Sequence, residues 1–229
     1  MANKQTFMRK ILIAISIVIF ISSSYSQEVA TTVNKPANIK FNMLALFDPV
    51  SAYQFSYEYG IGGRFNLQHE FGYITHNSPM YYGNDKKLDG FRIKTELKYY
   101  MPDREHTRTG MYFSGEAMWN KYSMTKEAQF AMQDWSYFQM MDVTKHKNVF
   151  AFHQKFGYQA GIKDSKVVFD FYIGLGVRSV YTQTDYPEEG ELVSGEDLDF
   201  FTVFGSSDNG FSVRPSFTMG YKIGIFLSK

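Results

Sequence analysis

The 229-residue sequence has no cysteine, which excludes disulfides, thiolate metal sites and thiol catalysis together. It lacks any long apolar run after Ile21, so it is not a helical membrane protein, whose spans each need about 20 apolar residues. It also lacks an excess of either charge. With 24 basic and 23 acidic residues the net charge is +1, leaving no basic surplus to recruit nucleic acid and no acidic tail.

The N-terminus is the exception to this polar balance. Lys4, Arg9 and Lys10 precede an unbroken apolar run from Ile11 to Ile21, followed by Ser22-Ser23-Ser24-Tyr25-Ser26-Gln27. The run is too short to span a bilayer, and small residues at 24 and 26 suit signal peptidase. Residues 1–26 are therefore expected to be a signal peptide, cut after Ser26, with 27–36 a periplasmic segment. No cysteine follows the run, so a lipid-modified N-terminus is excluded. Removing 1–26 takes away three bases and no acid, and the remainder stays near neutral.

What the sequence has in plenty is aromatic residues, 18% of the chain, at a negative mean hydropathy of −0.30. After residue 37 these fall in segments of about ten residues with strict alternation, the pattern of strands with one apolar and one polar face. In the second segment Tyr53, Phe55, Tyr57 and Tyr59 alternate with Gln54, Ser56 and Glu58. In the fourth, Phe91, Ile93, Leu97 and Tyr99 oppose Arg92, Lys94, Glu96 and Lys98. The seventh sets Val167, Phe169, Phe171, Ile173, Leu175 and Val177 against Asp170, Tyr172, Gly174, Gly176 and Arg178. The last sets Val213, Pro215, Phe217, Met219, Tyr221, Ile223 and Ile225 against Arg214, Ser216, Thr218, Gly220, Lys222 and Gly224.

Eight such segments predict an all-β, transmembrane, antiparallel up-and-down β-barrel over 37–229, because without helices only a closed sheet satisfies its backbone in lipid. The first is placed at about 39–47, the fifth at 111–120 and the sixth at 150–159. Spacing agrees, since outer-membrane barrels alternate short periplasmic turns with longer loops. The connections at 60–63, 102–109 and 163–166 are short, those at 76–89, 123–147 and 183–210 are long, and only Asp48-Pro49 disobeys. The stretch from Lys126 to Met141 is expected to form a short amphipathic helix over the barrel mouth. Pro215, which cannot donate a ladder bond, is expected near a strand's rim. An even strand number puts both termini on the periplasmic side.

With the apolar face toward lipid, Lys40, Arg64, Arg92, Lys94, Lys98, Lys155, Arg178, Arg214 and Lys222 share the lumen with Glu58, Glu70, Glu96, Glu116 and Asp170. An eight-stranded lumen is just wide enough for side chains. These charges are expected to pair with one another and with Tyr100 and Tyr112 as a polar plug. Glycines at 72, 157, 174, 176, 220 and 224 would make room for the long bases. A solute channel needs about 16 strands, so a general porin is excluded. The same alternation turned inside out would give an exported soluble lipid-binding barrel with its aromatics around a ligand.

Chemistry-bearing motifs are sparse. Gly174-Leu175-Gly176-Val177-Arg178 lacks the third glycine and the following helix of a dinucleotide fingerprint. The histidines at 69, 76, 106, 146 and 153 show no metal-ligating pair, so no metal or cofactor is expected. His76-Asn77-Ser78 matches the His-x-Ser spacing used by membrane-embedded lipid A deacylases. With Glu70 as the only candidate acid, it supports an outer-membrane lipid hydrolase as the competing reading. The aromatic and acidic loops around Tyr81, Trp135 and Tyr186 suggest a packed surface cluster, or a surface for an extracellular protein or glycan.

The signal peptide, the opening Ala37-Asn38-Ile39-Lys40-Phe41-Asn42, the Phe55-Ser56-Tyr57-Glu58-Tyr59-Gly60 region and Gly174-Leu175-Gly176-Val177-Arg178 together resemble a family of small outer-membrane barrels. That family is a domain of unknown function from Bacteroidetes-type bacteria. The resemblance implies an outer-membrane location and a barrel and carries no catalytic residues. The leading expectation is a structural or surface-interaction barrel without enzymatic activity, in contact with outer-membrane lipid and lipopolysaccharide.

Overall fold

The computed structural model describes residues 37–48, 50–76, 86–101, 109–133, 135–162, 165–187, 190–194 and 209–227. The expected signal peptide, the 27–36 segment and the Asn77-Ser78 pair lie outside them. The strands are β1 (Asn38–Asn42), β2 (Ala52–Gly62), β3 (Phe65–Thr75), β4 (Lys87–Tyr100), β5 (Gly110–Met132), β6 (Tyr137–Gly161), β7 (Val167–Asp185), β8 (Glu191–Ser194) and β9 (Gly210–Phe226). All belong to one antiparallel sheet. Eight of them run up and down, each chain neighbour pairing with the next, while β9 pairs with both β7 and β1 and β4 pairs with β5. The short β8 lies against β5. Among the described residues there is no α-helix.

Alternation decides which way each residue faces, because successive side chains of a strand point to opposite sides of the sheet. Through most of β2 to β4 the alternate positions are buried and polar and those between are exposed and mainly apolar, the buried face becoming apolar at Ala52, Ile74 and Leu88. Phe55 is 56% exposed while its neighbours Gln54 and Ser56 are 0% and 4% exposed. The exposed face carries cross-strand aromatic pairs, Phe41–Phe55 at 5.0 Å, Phe65–Tyr99 at 5.1 Å and Phe171–Tyr221 at 4.5 Å between ring centroids. Such pairs add about 0.2–1 kcal/mol each to a sheet. They also fix register, since a one-residue slip would exchange the two faces.

Four sequence expectations are corrected. The first strand ends at Asn42 rather than near 47, and Leu44–Leu46 form a 3-10 turn with Ala45 buried. The connection to β2 therefore runs from 43 to 51 instead of being confined to Asp48-Pro49. Leu44 and Leu46, which interrupt the alternation, mark the place where the strand stops. The stretch from Lys126 to Met141 is not a helix. β5 and β6 continue as one ribbon, paired without a break from Gly110↔Gln159 to Met132↔Tyr137. The connection expected over 123–147 shrinks to the few residues after Met132, where Gln133 and Trp135 take left-handed φ values of 46° and 69°. The ladder pairs the backbone groups that β5 and β6 turn toward each other, and β8 pairs part of the outer side of β5, while Phe130, Met132 and Val143 pack with one another on one face. Likewise β7 runs on to Asp185, and β8 occupies part of the loop expected over 183–210.

Pro215 is the fourth correction, for it sits well inside β9 and not at its rim. Its tolerance follows from the ladder. Phe226 N–H bonds to Lys166 O on the β7 side, and Leu227 N–H bonds to Ala37 O on the β1 side. Odd-numbered residues of β9 thus turn their backbone groups toward β1. The last contact there is Met43 N–H to Tyr221 O, so from 219 back to 211 that edge has no strand beside it among the described residues. The missing N–H of Pro215 points to this open edge, where no ladder bond is lost.

Candidate functional site

The buried face of the sheet brings the predicted charges together in layers. At the end where β1 begins, Lys40 and Lys98 alternate with Glu58 and Asp170 in a square. Lys40 Nζ lies 2.6 Å from Glu58 and 2.7 Å from Asp170, and Lys98 Nζ lies 3.0 and 2.7 Å from the same two carboxylates. All four side chains are fully buried. The remaining oxygens are also satisfied. Tyr100 Oη and Asn66 donate to Glu58 Oε1 at 2.9 and 2.7 Å, and Tyr112 Oη donates to Asp170 Oδ1 at 2.6 Å. Gln159 accepts a further bond from Lys40 at 2.5 Å. Buried charges are stable only when paired and hydrogen-bonded in this way.

The next layer holds Lys94, Lys155 and Lys222 with Glu70, Glu96 and Glu116. Lys222 lies 2.5 Å from Glu70, Lys155 bridges Glu116 and Glu96, and Lys94 approaches Glu70 at 3.4 Å. Ser114 and Gln68 donate to Glu96 at 2.6 and 3.1 Å. Tyr172 is shared as a cation–π partner, with Lys155 Nζ 4.1 Å and Lys222 Nζ 4.9 Å from its ring centre. The glycines make room as expected, although their closest neighbours are not always bases. A Cβ on Gly157 would strike Tyr112, and one on Gly220 would strike Tyr172, whereas those on Gly174 and Gly224 would meet Lys155 and Lys40. The glycines accommodate tyrosine rings as well as lysine stems.

Above these layers the arrangement changes. Arg92 leaves the lysine–carboxylate network and reaches the β1–β2 connection, bonding Asp48 at 2.7 Å and Val50 O at 3.1 Å. Arg64 is a correction: it is exposed in the turn between β2 and β3, because the strand begins only at Phe65. Arg178 and Arg214 are half-buried and stand directly opposite each other on β7 and β9. Neither has a carboxylate partner among the described residues, and Arg178 Nε is buried without a hydrogen bond. Beyond them the same face turns apolar, with Ala52, Ile74, Leu88, Tyr122 and Val149 packed together.

Asp48 escapes sequence reading because it lies outside any alternating segment. Gln68 and Gln159, by contrast, occupy inward positions of their strands and are legible from phase alone. Ser216 and His153 stand 2.8 Å apart between Oγ and Nε2 although 63 residues separate them. No motif could announce that. Among the described residues no group of three potential ligands is arranged to hold a metal ion. His76 closes the described part of β3's end, and the rest of its His-x-Ser motif lies outside the described residues.

The match to known families covers residues 12–201 and is to DUF3575, a protein family of unknown function. The chain belongs to this DUF3575 family. The matched span takes in β1 through β8 and leaves out β9. No curated protein and no solved structure matches. Membership carries no activity to transfer, so for this DUF3575 chain function has to be argued from the site itself.

Proposed function

We propose that the chain crosses an outer membrane as a closed eight-stranded barrel, with both termini periplasmic, and serves a structural or surface-interaction role. One observation carries the reading: apolar rings and aliphatic chains face outward around the strands, while lysines and carboxylates are sealed inside. Leu175, Phe152 and Phe217 are 68%, 60% and 58% exposed, whereas Lys40, Glu58, Lys98 and Asp170 are at most 1% exposed. In water this surface would be unsustainable, because large exposed apolar areas drive association. In hydrocarbon it is the favourable arrangement, and lysine or arginine on that face would cost about 2–4 kcal/mol at mid-membrane. The pairing of β9 with β1 and of β4 with β5 supports closure, which pairs most of the strand edges that lipid would leave unsatisfied and, among the described residues, leaves open the 211–219 stretch of β9. The soluble lipid-binding alternative needs the opposite sidedness.

Beyond the lipid-facing band, the β5–β6 ribbon and β8 form the surface offered outside the cell. Trp135, Phe138 and Met140 are exposed there, and a protein or glycan is the class of partner such aromatics fit. Lys86 ties the base of this ribbon down by contacts to Asp142 at 2.6 Å and Glu127 at 2.8 Å. Outer-membrane lipid and lipopolysaccharide surround the barrel.

Fractionation combined with gel mobility tests the reading. The expected result is recovery with outer membranes, release only by detergent, and a band whose mobility shifts between unboiled and boiled samples. Recovery among soluble periplasmic contents without detergent would favour the inside-out alternative.

A further inference from the structure

One register row crosses the sheet through Glu116 on β5, His153 on β6, Gly176 on β7 and Ser216 on β9, each pairing with the next. In such a row the side chain of the middle strand would normally separate its neighbours. Gly176 has none. The His153 ring occupies that space, since a Cβ at 176 would lie 2.8 Å from His153 Cδ2 and would strike the backbone of Phe152. His153 therefore reaches across β7, and its Nε2 meets Ser216 Oγ at 2.8 Å. Its other nitrogen, Nδ1, lies 3.3 Å from Glu116 Oε1, an oxygen that also faces Lys94 Nζ at 3.9 Å. A serine, a histidine and a carboxylate thus stand in the order that activates a hydroxyl nucleophile.

Two neighbouring features point to a substrate. Ser216 follows Pro215 on the open edge of β9, where the odd-numbered residues from 211 to 219 have no strand beside them among the described residues. The N–H of Phe217, the residue after the serine, faces that edge, the position from which a following amide stabilises an acyl oxyanion. At the next inward-facing position along the strands, Arg178 and Arg214 oppose each other with no carboxylate partner among the described residues. Like charges directly opposite destabilise a sheet, so the pair is suited to an anion brought from outside.

We propose that Ser216, His153 and Glu116 form a hydrolytic site for acyl esters of anionic lipids, with the lipid phosphate held between Arg178 and Arg214. Ser216 Oγ attacks the ester carbonyl carbon as its proton passes to His153 Nε2. The bond to the alkoxy oxygen breaks, and that oxygen takes the proton from His153, leaving an acyl ester on Ser216. Water then attacks the acyl carbon, His153 accepts its proton and returns it to Oγ, and the fatty acid departs. Glu116 holds the Nδ1 proton toward itself throughout, its other oxygen being engaged by Lys155. This departs from the expectation of a barrel without enzymatic activity, and it uses neither His76 nor Ser78. It rests on the barrel reading only for the lipid nature of the ester.

The test is covalent labelling of the full chain, folded in detergent, with an alkyl fluorophosphonate, and peptide mass spectrometry to find the adduct. The expected fluorophosphonate adduct is on Ser216 and is abolished by Ser216→Ala, while Ser216→Cys is expected to be acylated by a short-chain nitrophenyl ester, forming a thioester and releasing nitrophenolate. His153→Asn lowers fatty-acid release from phosphatidylglycerol micelles by about a hundredfold. Arg178→Gln with Arg214→Gln lowers that release by about tenfold while sparing the uncharged nitrophenyl ester. Absence of any adduct on Ser216 in protein that shows the heat-dependent mobility shift overturns the proposal, as does undiminished release by Ser216→Ala. Loss of the mobility shift instead tells against the membrane barrel, and the water-soluble nitrophenyl ester still reports on the site.

Discussion

The two ends of the buried face use charge in opposite ways. Around Lys40, Glu58, Lys98 and Asp170, every amine touches two carboxylates and every carboxylate oxygen has a donor. Around Arg178, Arg214, His153 and Ser216, two guanidinium groups face each other with no carboxylate partner, beside an edge with no strand, among the described residues. The first arrangement holds the fold and leaves nothing over for a ligand. The second leaves unpaired charge and unpaired backbone together, a configuration that costs stability unless something binds there.

The sharpest way to break this comparison is to remove one amine from the square. Lys40→Met leaves Glu58 and Asp170 sharing Lys98 alone, with one buried negative charge uncompensated. Stripping one partner from a buried pair costs about 3–5 kcal/mol. Urea unfolding in detergent, followed by gel mobility, is expected to show that loss. An unchanged midpoint would mean that water reaches the square and that the lower end is not sealed.

Next in size is overpacking. Gly220→Ala puts a methyl group where the Tyr172 ring lies, and Tyr172 carries the contacts to Lys155 and Lys222. Forcing a methyl into a filled interior costs about 1–3 kcal/mol, read as a lower unfolding midpoint. Gly72→Ala is the matched control. Its Cβ would lie 3.3 Å from Arg92 Cβ and 3.4 Å from Gln54 Cγ, so a smaller loss is expected in the same assay.

The upper end should answer with the other sign. Arg214→Gln removes one of two like charges and breaks no ion pair, and a gain of about 0.2–1 kcal/mol is expected from relief of cross-strand repulsion. The same unfolding assay checks it. A loss comparable to that of Lys40→Met would show that the arginine is structurally paired after all, and the contrast between the two ends would disappear.

How far the sequence discloses these regions depends on what each is made of. Lys94, Glu96 and Lys98 alternate with Ile93, Leu97 and Tyr99 on one strand, so the strand, its phase and the burial of its charges are all legible from local period. Gln54 and Asp170 follow for the same reason. The stretch from Lys126 to Met141 resembles a helix in sequence because its apolar residues fall on both faces: Phe130 and Met132 pack together while Phe138 and Met140 are exposed. Without alternation, only the pairing with β6 decides the conformation. Arg64 reads as inward-facing in sequence because the turn's last residue has no local signature that separates it from the strand's first. The Ser216–His153 contact depends on a glycine in a third strand, and register across three strands is not written in any one of them.

The smallest effect belongs at the base of the β5–β6 ribbon. Hydrogen bonds from its amine to Asp142 and then to Glu127 hold the Lys86 amine above the ordinary lysine value. A raised value means that any stabilisation is complete below the normal lysine range and is lost only as pH climbs through the raised one. Between pH 6 and pH 9 the ribbon should therefore be indifferent to Lys86 titration, and Lys86→Ala should leave the unfolding midpoint within error. All three side chains are about half exposed, and water and salt screen such contacts heavily. What the variant should change is local. Amide exchange at Thr125, whose carbonyl accepts the Lys86 N–H, and at the facing Thr144 is expected to speed up modestly, while the Lys40 layer stays protected. Equal acceleration at both ends would mean that the ribbon and the rest of the sheet open as one unit, and the separation between a sealed floor and an adaptable upper rim would fail.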